Sequence, residues 1–169
     1  MKIKLKKQSF LYHLSDNDNI NVFEPRTFYH NKDFSTSGSS PFKGSIQNNL
    51  VFAVDDQYKT FYALPRDTKR IMLDICPQYK MLFVDKKEKH ELQNFSWTEY
   101  KFDLKNFKKL PGGKEYITTN SIKPISKTKY KNCINYIDKS NFDLIFAEDI
   151  DKLYDFFKQN NIIIDSEGF

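Results

Sequence analysis

Short apolar runs separated by polar turn residues recur along the chain and predict a protein built mainly of β-strands. Each run has the length of a strand, and proline, glycine, asparagine or aspartate stands near at least one end of most of them. The expected strands cover residues 8–13, 50–54, 71–76, 80–84, 96–104, 115–119, 122–125 and 142–147. The segments 115–119 and 122–125 are expected to form one bent strand.

Helical periodicity is clearest near the end of the sequence. Apolar residues recur there at spacings of three and four, which places them on one face of a helix. They are Ile150, Leu153, Tyr154 and Phe157. Asp149 or Asp151 can satisfy the free N–H groups of the first turn, so we expect a C-terminal amphipathic helix.

Elsewhere the pattern allows only short helices. Asp55 or Asp56 can cap a helix that ends at Leu64, before Pro65, and residues 86–94 suit another. Residues 129–139 fit either a helix or a strand. Many strands with few, irregularly placed helices predict an α+β fold, formed as a single domain over residues 1–169.

Residues 27–49 show no periodicity and include the stretch STSGSSPFKGS. Serine and glycine at this density are typical of flexible chain. A loop of this length inside a compact domain is usually a functional lid or a disordered segment. We therefore expect a flexible loop over residues 27–49.

The composition is that of a globular protein whose core is rich in aromatic residues. The chain holds 16 Phe and 10 Tyr, although only 39% of its residues are hydrophobic. A net charge of +5 favours an anionic ligand, a nucleotide or a nucleic acid, without the basic stripe of a dedicated DNA-binding protein. Two distant cysteines and the lack of a long apolar run predict a reduced, cytoplasmic protein with no metal site and no membrane segment.

His13 and Ser15 stand at the end of the first predicted strand. A neutral imidazole offers one donor and one acceptor, so His13 could bond a ribose hydroxyl or an amide, with Ser15 as a second polar group nearby. The alternative is a surface histidine beside a serine that caps a turn.

Two arginines follow prolines on either side of the predicted loop: Arg26 in FEPR and Arg66 in ALPRD. Proline fixes the local backbone, and a guanidinium held in place can bind a phosphate through two parallel hydrogen bonds. The alternative is an ion pair with Glu24 or another surface acid.

Tyr62 and Glu115 are further candidates. Tyr58, Phe61 and Tyr62 share one face of a predicted helix, which is typical of core packing, although Tyr62 could also stack on a planar ligand. Glu115 follows a glycine turn at the start of a strand, where its carboxylate could project into a cleft. A solvated surface glutamate is the alternative.

Three segments together resemble a bacterial family of unknown function. Its pattern consists of YHxS, FxPR and an apolar-Ala-Asp-acid stretch leading to Tyr-x-x-Pro-Arg-Asp, matched within residues 11–26 and 50–67. More distantly, the chain resembles the ADP-ribosyltransferase fold, including the RNA 2'-phosphotransferases. His13 with Ser15, the run VFA followed by Tyr62, and Glu115 in KEYITTNSIKPI are the matching features.

The distant resemblance implies mixed and antiparallel sheets around a cleft that holds NAD. His13 would then hold the adenosine-side ribose, with Ser15 assisting. Tyr62 would stack on nicotinamide, and Glu115 would stabilise the oxocarbenium-like state as the glycosidic bond breaks. The two Pro-Arg corners are similar to the phosphate-holding arginines of the 2'-phosphotransferases. We therefore expect His13, Arg26, Tyr62 and Glu115 to converge on one cleft.

Three functions remain open at this level. The first is an enzyme that transfers ADP-ribose from NAD to a protein or nucleic acid, or that acts on a 2'-phosphate. The second is a non-catalytic module that binds a nucleotide or a nucleic-acid end. The third is an interaction protein whose polar cluster is only a surface network. The acceptor, the oligomeric state and any partner or antitoxin are not specified by the sequence.

Overall fold

Two sheets and three α-helices make up the described part of the protein. The structure, a computed structural model, describes residues 9–26 and 49–169. Its strands are β1 Phe10–Ser15, β2 Val51–Val54, β3 Arg70–Cys76, β4 Tyr79–Asp85, β5 Trp97–Asp103, β6 Lys108–Lys109, β7 Glu115–Thr118, β8 Ser126–Tyr130, β9 Phe142–Ala147 and β10 Asp165–Glu167. The helices are α1 Lys89–Asn94, α2 Cys133–Asp138 and α3 Ile150–Gln159. The predicted α+β class is confirmed.

The strands are divided between an antiparallel and a mixed sheet. The six-stranded sheet has the order β6–β7–β2–β1–β5–β8 and is antiparallel throughout. The four-stranded sheet has the order β10–β3–β4–β9, in which β4 and β9 run parallel. α2 connects β8 to β9, so the chain passes from one sheet to the other through this helix.

The largest cluster of buried side chains lies between the two sheets. It joins Trp97 of the six-stranded sheet to Leu82 and Val84 of the four-stranded sheet, with Ile137 of α2 beside them. A second cluster covers the outer face of the six-stranded sheet, and α3 packs on the outer face of the four-stranded sheet. The protein is thus layered, with apolar contacts on both faces of each sheet.

The pairing of strands decides which side chains of the six-stranded sheet share a face. Residues directly opposite each other in neighbouring strands project to the same side. Tyr12 pairs with Val54, and Val54 pairs with Glu115, so these three define what we call the Tyr12 face, which looks toward the four-stranded sheet. His13 is the next residue of β1 and pairs with Tyr100 on the opposite side, the His13 face.

The predicted helix over residues 55–64 is wrong in type. Asp55 accepts from the backbone N–H of Tyr58 at 3.1 Å, as a capping residue does, but a single 3-10 turn follows at Lys59–Tyr62. Its bonds span three residues, as from the N–H of Phe61 to the carbonyl of Tyr58 at 3.1 Å. The stretch between β2 and Pro65 therefore forms tight turns, and we refer to Lys59–Tyr62 as the 59–62 turn.

The region after β7 also differs from the prediction. Ile122 forms only an isolated bridge with Phe23, not the second half of a bent strand. The ambiguous residues 129–139 contain the end of β8 and the whole of α2. The Asn132 side chain caps α2 by accepting from the N–H of Asn135 at 3.2 Å. β8 and α2 are too short for the spacing of apolar residues to distinguish a strand from a helix in this stretch.

The predicted C-terminal helix is confirmed as α3. Asp149 is its N-cap, and its carboxylate accepts from the N–H groups of Asp151 and Lys152 at 3.1 Å each. Ile150 and Phe157 are buried against the four-stranded sheet. The short strand β10, which follows α3, was not predicted.

The predicted flexible loop over residues 27–49 lies outside the described residues, apart from Asn49. Within the described ranges, no helix has both the length and the apolar character that a bilayer crossing requires.

Candidate functional site

His13 occupies a half-buried position on the His13 face. Its Nδ1 lies 2.9 Å from the carbonyl oxygen of Phe52, and its ring meets Phe23 edge-on at a centroid distance of 4.9 Å. Burial lowers the pKa of His13; the Phe52 contact opposes this, and the positive charge of Arg26 lowers the pKa further. A neutral imidazole results, held by backbone and ring contacts.

Ser15 and the two arginines lie nearer the solvent. The Ser15 hydroxyl accepts from the backbone N–H two residues further on at 3.1 Å. Ser15 therefore caps a turn, which is the alternative to a ligand-binding role. Arg26 and Arg66 are both exposed, and Arg66 lies in the turn before β3. Neither guanidinium forms an ion pair within residues 9–26 and 49–169. Glu24 accepts from the Ser121 hydroxyl instead.

Tyr62 and Glu115 are in direct contact on the Tyr12 face. The Tyr62 hydroxyl donates to Oε1 of Glu115 at 3.2 Å. Burial raises the pKa of Glu115 to about 7; the Tyr62 bond lowers it, and the negative charge of Glu167 adds to the increase. The carboxyl therefore titrates near neutral pH, as general acid–base groups do. In the described part of the chain, no three His, Cys, Asp or Glu side chains are placed to hold a metal ion.

The expected convergence of the predicted residues on one cleft is wrong. Arg26 lies close enough to His13 to affect its titration, and Tyr62 contacts Glu115. The two pairs belong to opposite faces of the six-stranded sheet, because Glu115 is in register with Tyr12 and not with His13. The roles assigned to the individual residues stay predictions, but the sheet itself separates His13 from Glu115.

A cleft of about 1210 Å³ opens on the Tyr12 face beside α2. β1 and β8 form its floor, and its walls are α2, the 59–62 turn and the turn between β3 and β4. We call it the tyrosine–lysine cleft after the residues that define it: Tyr12, Tyr130, Tyr136, Lys59, Lys131 and Lys139. None of the six site residues predicted from the sequence lines this cleft.

Lys59 is the least exposed of the three lysines that line the cleft. Its ammonium lies 2.9 Å from Asp56, 3.1 Å from Glu99 and 4.1 Å from the centre of the Tyr12 ring. The buried carboxylate of Glu99 also accepts from the Tyr136 hydroxyl at 2.8 Å. Burial disfavours the charged form of Lys59 and so lowers its pKa. The interactions of the ammonium with Asp56 and Glu99 outweigh this effect, and the pKa of Lys59 is raised overall. One lysine between two carboxylates leaves this group of side chains with a net negative charge.

Lys131 and Lys139 lie at the outer edge of the cleft, on either side of α2. Lys131 precedes the N-cap residue, and Lys139 follows the last helical residue. Both are exposed, and neither forms an ion pair with another described residue. At the helical rise per residue their backbones stand about 12 Å apart. The outer edge therefore offers two cations free to meet an anion.

Tyr130 supplies one aromatic surface of the cleft. It stacks on Trp97 at 5.6 Å, and Trp97 stacks on Phe95 at 5.8 Å. Tyr136 meets Tyr130 edge-on at 4.7 Å. Because these contacts hold the Tyr130 ring in place while part of it stays exposed to the cleft, it can receive the planar ring of a ligand.

The sequence pattern does not reveal this cleft, because its walls come from segments that are far apart along the chain. The available signal was the mixture of lysine, tyrosine and asparagine in KTKYKNCINYIDK, residues 127–139. Basic residues interleaved with aromatic ones are typical of surfaces that bind nucleotides or single-stranded nucleic acid.

Comparison with known proteins identifies a family but no activity. The family of unknown function DUF6886 matches residues 12–163, a range that includes the six tyrosines and lysines that define the cleft and the Tyr62–Glu115 contact. No curated protein and no solved structure matches the chain. The relationship to ADP-ribosyltransferases therefore stays a prediction. The chain belongs to the DUF6886 family of unknown function.

Proposed function

We propose that the protein binds a nucleotide of the size of NAD in the tyrosine–lysine cleft. The observation that supports this most directly is the lining, in which tyrosine rings, amide side chains and two lysines with no ion-pair partner among the described residues face one cavity. Tyrosine rings stack on bases, lysines bind phosphates, and amides bond to ribose hydroxyls and base edges. Binding a nucleotide requires no group beyond these rings, lysines and amides.

The dimensions of the cleft favour a dinucleotide. Its volume of about 1210 Å³ exceeds the roughly 300–1,000 Å³ of most small-molecule sites. NAD or ADP-ribose would occupy more of it than a single nucleoside. The net charge of +5 adds a general attraction for such anions.

Calorimetric titration with NAD, ADP-ribose and a short RNA tests the binding function. Replacing Tyr130 by Leu should weaken NAD binding about tenfold, because a stacked base contributes roughly 1–3 kcal/mol. Tyr154→Leu, on α3 and outside the cleft, is the matched control and should bind NAD like the wild type. Absence of binding by all three ligands, or equal affinity in the Tyr130 variant, would contradict the proposal.

ADP-ribosyl transfer is the second candidate function, and the Tyr62–Glu115 contact favours it. A half-buried carboxyl with a pKa of about 7, bonded to a phenol, is suited to act on a ribose hydroxyl or to stabilise a developing positive charge. The 59–62 turn stands between this contact and the cleft, since Lys59 faces the cleft and Tyr62 faces Glu115. NAD bound in the cleft would reach Glu115 only past this turn, so binding is the first proposal.

A nicotinamide-release assay distinguishes transfer from binding. If the protein transfers ADP-ribose, Glu115→Gln abolishes nicotinamide release while NAD affinity stays the same. Glu148→Gln, an exposed glutamate on the four-stranded side, is the control and should keep full release. Full turnover by the Glu115 variant would exclude this residue as the catalytic group.

A further inference from the structure

A buried carboxylate, that of Glu99, lies next to the tyrosine–lysine cleft. Glu99 belongs to β5, between the two strands β1 and β8 that form the floor. It pairs with Leu14, two residues from Tyr12 on β1, so its side chain projects to the Tyr12 face. Only 7% of Glu99 is exposed, and it is not among the described residues that line the cleft. A ligand in the cleft would therefore meet the partners of Glu99 and not Glu99 itself.

One oxygen of Glu99 is bonded to two walls of the cleft. Its Oε2 lies 3.1 Å from the ammonium of Lys59, in the 59–62 turn, and accepts from the hydroxyl of Tyr136, in α2, at 2.8 Å. Both of these partners line the cleft. A single atom of the six-stranded sheet thus fixes one side chain in each of the two walls.

Lys59 and Tyr136 in turn contact two other tyrosine rings that line the cleft. The ammonium of Lys59 lies 4.1 Å from the centre of the Tyr12 ring. The ring of Tyr136 meets the Tyr130 ring edge-on at a centroid distance of 4.7 Å. The orientation of both rings therefore depends in part on contacts that lead back to Glu99.

Stability alone does not account for a carboxylate at this position. Replacing a buried ion pair by apolar residues is often neutral or stabilising, because the desolvation of the charges offsets their attraction. Without Glu99, Lys59 would still keep Asp56 at 2.9 Å. Tyr136 lines the cleft and is only partly buried, so water could replace the carboxylate at its hydroxyl. The group that would be lost is the common anchor of the two walls.

We propose that Glu99 is a positioning residue for the nucleotide bound in the cleft. Acting through Lys59 and Tyr136, it holds two tyrosine rings in the orientation that a planar base requires. These rings belong to Tyr12 and Tyr130. The inference rests on the proposed function, because it assumes that the cleft is the nucleotide site. The affinity for a nucleotide then depends on a residue that the nucleotide does not touch.

Calorimetry with NAD on two variants of Glu99 separates the position of its oxygen from its charge. Glu99→Leu removes both bonds and should weaken NAD binding about tenfold, the effect of losing one well-placed polar or stacking contact. Glu99→Gln should bind NAD within about threefold of the wild type, because one amide oxygen can accept from both Lys59 and Tyr136 as Oε2 does. A role that needed only the negative charge would make the two variants equally weak.

A double-mutant cycle with Tyr136→Phe tests whether Glu99 acts through Tyr136. Tyr136→Phe removes the hydroxyl, keeps the ring and should weaken NAD binding about threefold. The double variant Glu99→Leu with Tyr136→Phe should bind NAD like Glu99→Leu alone, since the bond between them is already lost. If Glu99→Leu does not fold, Tyr136→Phe decides by itself, and an NAD affinity equal to that of the wild type overturns the proposal.

Asp165→Leu is the matched control. Asp165 is also 7% exposed and bonded to a lysine, Lys114, but it lies in β10 and does not line the cleft. Lys114 would retain a second carboxylate, that of Asp74 at 3.8 Å, just as the lysine beside Glu99 does. This variant should bind NAD like the wild type, whatever its stability in urea. A loss of NAD affinity equal to that of Glu99→Leu would show that binding follows stability, and would overturn the proposal.

The results separate this inference from the proposed function. NAD binding that weakens in Glu99→Leu and is kept in Glu99→Gln, with a non-additive cycle, supports positioning by Glu99. Equal affinity of the wild type and Glu99→Leu, equally weak Leu and Gln variants, or additive losses in the cycle overturn positioning and leave nucleotide binding intact. No binding of NAD by the wild type overturns the proposed function and this inference together.

Discussion

The pKa of the Glu115 carboxyl, at the start of β7, is set by its burial and by the groups around it. Burial raises its pKa from the ordinary 4.5 to about 7, with Tyr62 lowering the value and Glu167 raising it. Between these two pH values the folded protein holds a proton that the unfolded chain has released. The free energy of unfolding must therefore decrease as the pH rises through this interval.

Replacing Glu115 by Gln should remove this pH dependence. The wild type should lose on the order of 2–3 kcal/mol relative to the variant between pH 4.5 and pH 7.5, since each unit of pKa shift corresponds to about 1.4 kcal/mol. Urea unfolding of both proteins across this range measures the difference. Glu148→Gln, at an exposed position, should follow the wild-type profile. Parallel profiles for the wild type and the Glu115 variant would show that Glu115 titrates like an exposed glutamate.

At the level of elements, α2 and α3 both begin at a capping side chain, but they pack in different parts of the protein. Asn132 and Asp149 each accept backbone N–H groups of the first helical turn. α2 forms a wall of the tyrosine–lysine cleft and is preceded by Lys131. α3 packs on the outer face of the four-stranded sheet and contributes nothing to the cleft lining.

Removing the capping side chain of α2 or of α3 should destabilise the protein in a similar way, but only one of the two changes should affect ligand binding. Asn132→Ala should lower the free energy of unfolding by about 1 kcal/mol, because an N-cap replaced by alanine leaves backbone donors unsatisfied, and Asp149→Ala should lower it for the same reason. Only Asn132→Ala should weaken NAD binding, since it loosens α2, the wall of the cleft that Lys131 precedes. Urea unfolding and NAD calorimetry on both variants measure the two effects. Equal loss of NAD affinity in the Asp149 variant would show that the cleft depends on overall stability rather than on α2.

For the whole molecule, Lys114 and Asp165 form an ion pair that links the two sheets. Lys114 directly precedes β7 of the six-stranded sheet, and Asp165 begins β10 of the four-stranded sheet. Asp165 is buried, and its Oδ1 has no hydrogen-bond partner among the described residues. Burial raises the pKa of Asp165, and its bond with Lys114 opposes that rise. The lysine thus compensates a buried carboxylate where the sheets meet.

Lys114→Met should destabilise the protein by about 2–3 kcal/mol, somewhat less than the usual cost of breaking a fully buried pair because Lys114 is partly exposed. The double variant Lys114→Met with Asp165→Asn should recover part of that loss, since no buried charge is left without a partner. Lys86→Met, which breaks the exposed pair with Glu148, should change the stability much less, because exposed ion pairs contribute little. Urea unfolding at pH 7 of the wild type, these three variants and the Asp165→Asn single variant tests this. An additive double variant would mean that the two side chains do not interact.

The sequence by itself determined most of the elements of this protein. The runs at 71–76, 80–84 and 142–147 became β3, β4 and β9, and the spacing from Ile150 to Phe157 became α3. These signals are local, because a strand alternates every two residues and a helix returns every three or four. The same locality explains the failures at 55–64 and 122–139, where short turns and elements leave too few residues to show a period.

The tertiary structure alone decided which side chains meet. Strand pairing joined Tyr12 to Val54 and Val54 to Glu115, and so put Glu115 and His13 on opposite faces of one sheet. A shift of one residue in β1 would have reversed this, and nothing in the local pattern of FLYHLS marks which register is formed. The tyrosine–lysine cleft likewise exists only because β1, the 59–62 turn and α2 pack together. Its position depends on contacts between distant segments, and local periodicity holds no information about them.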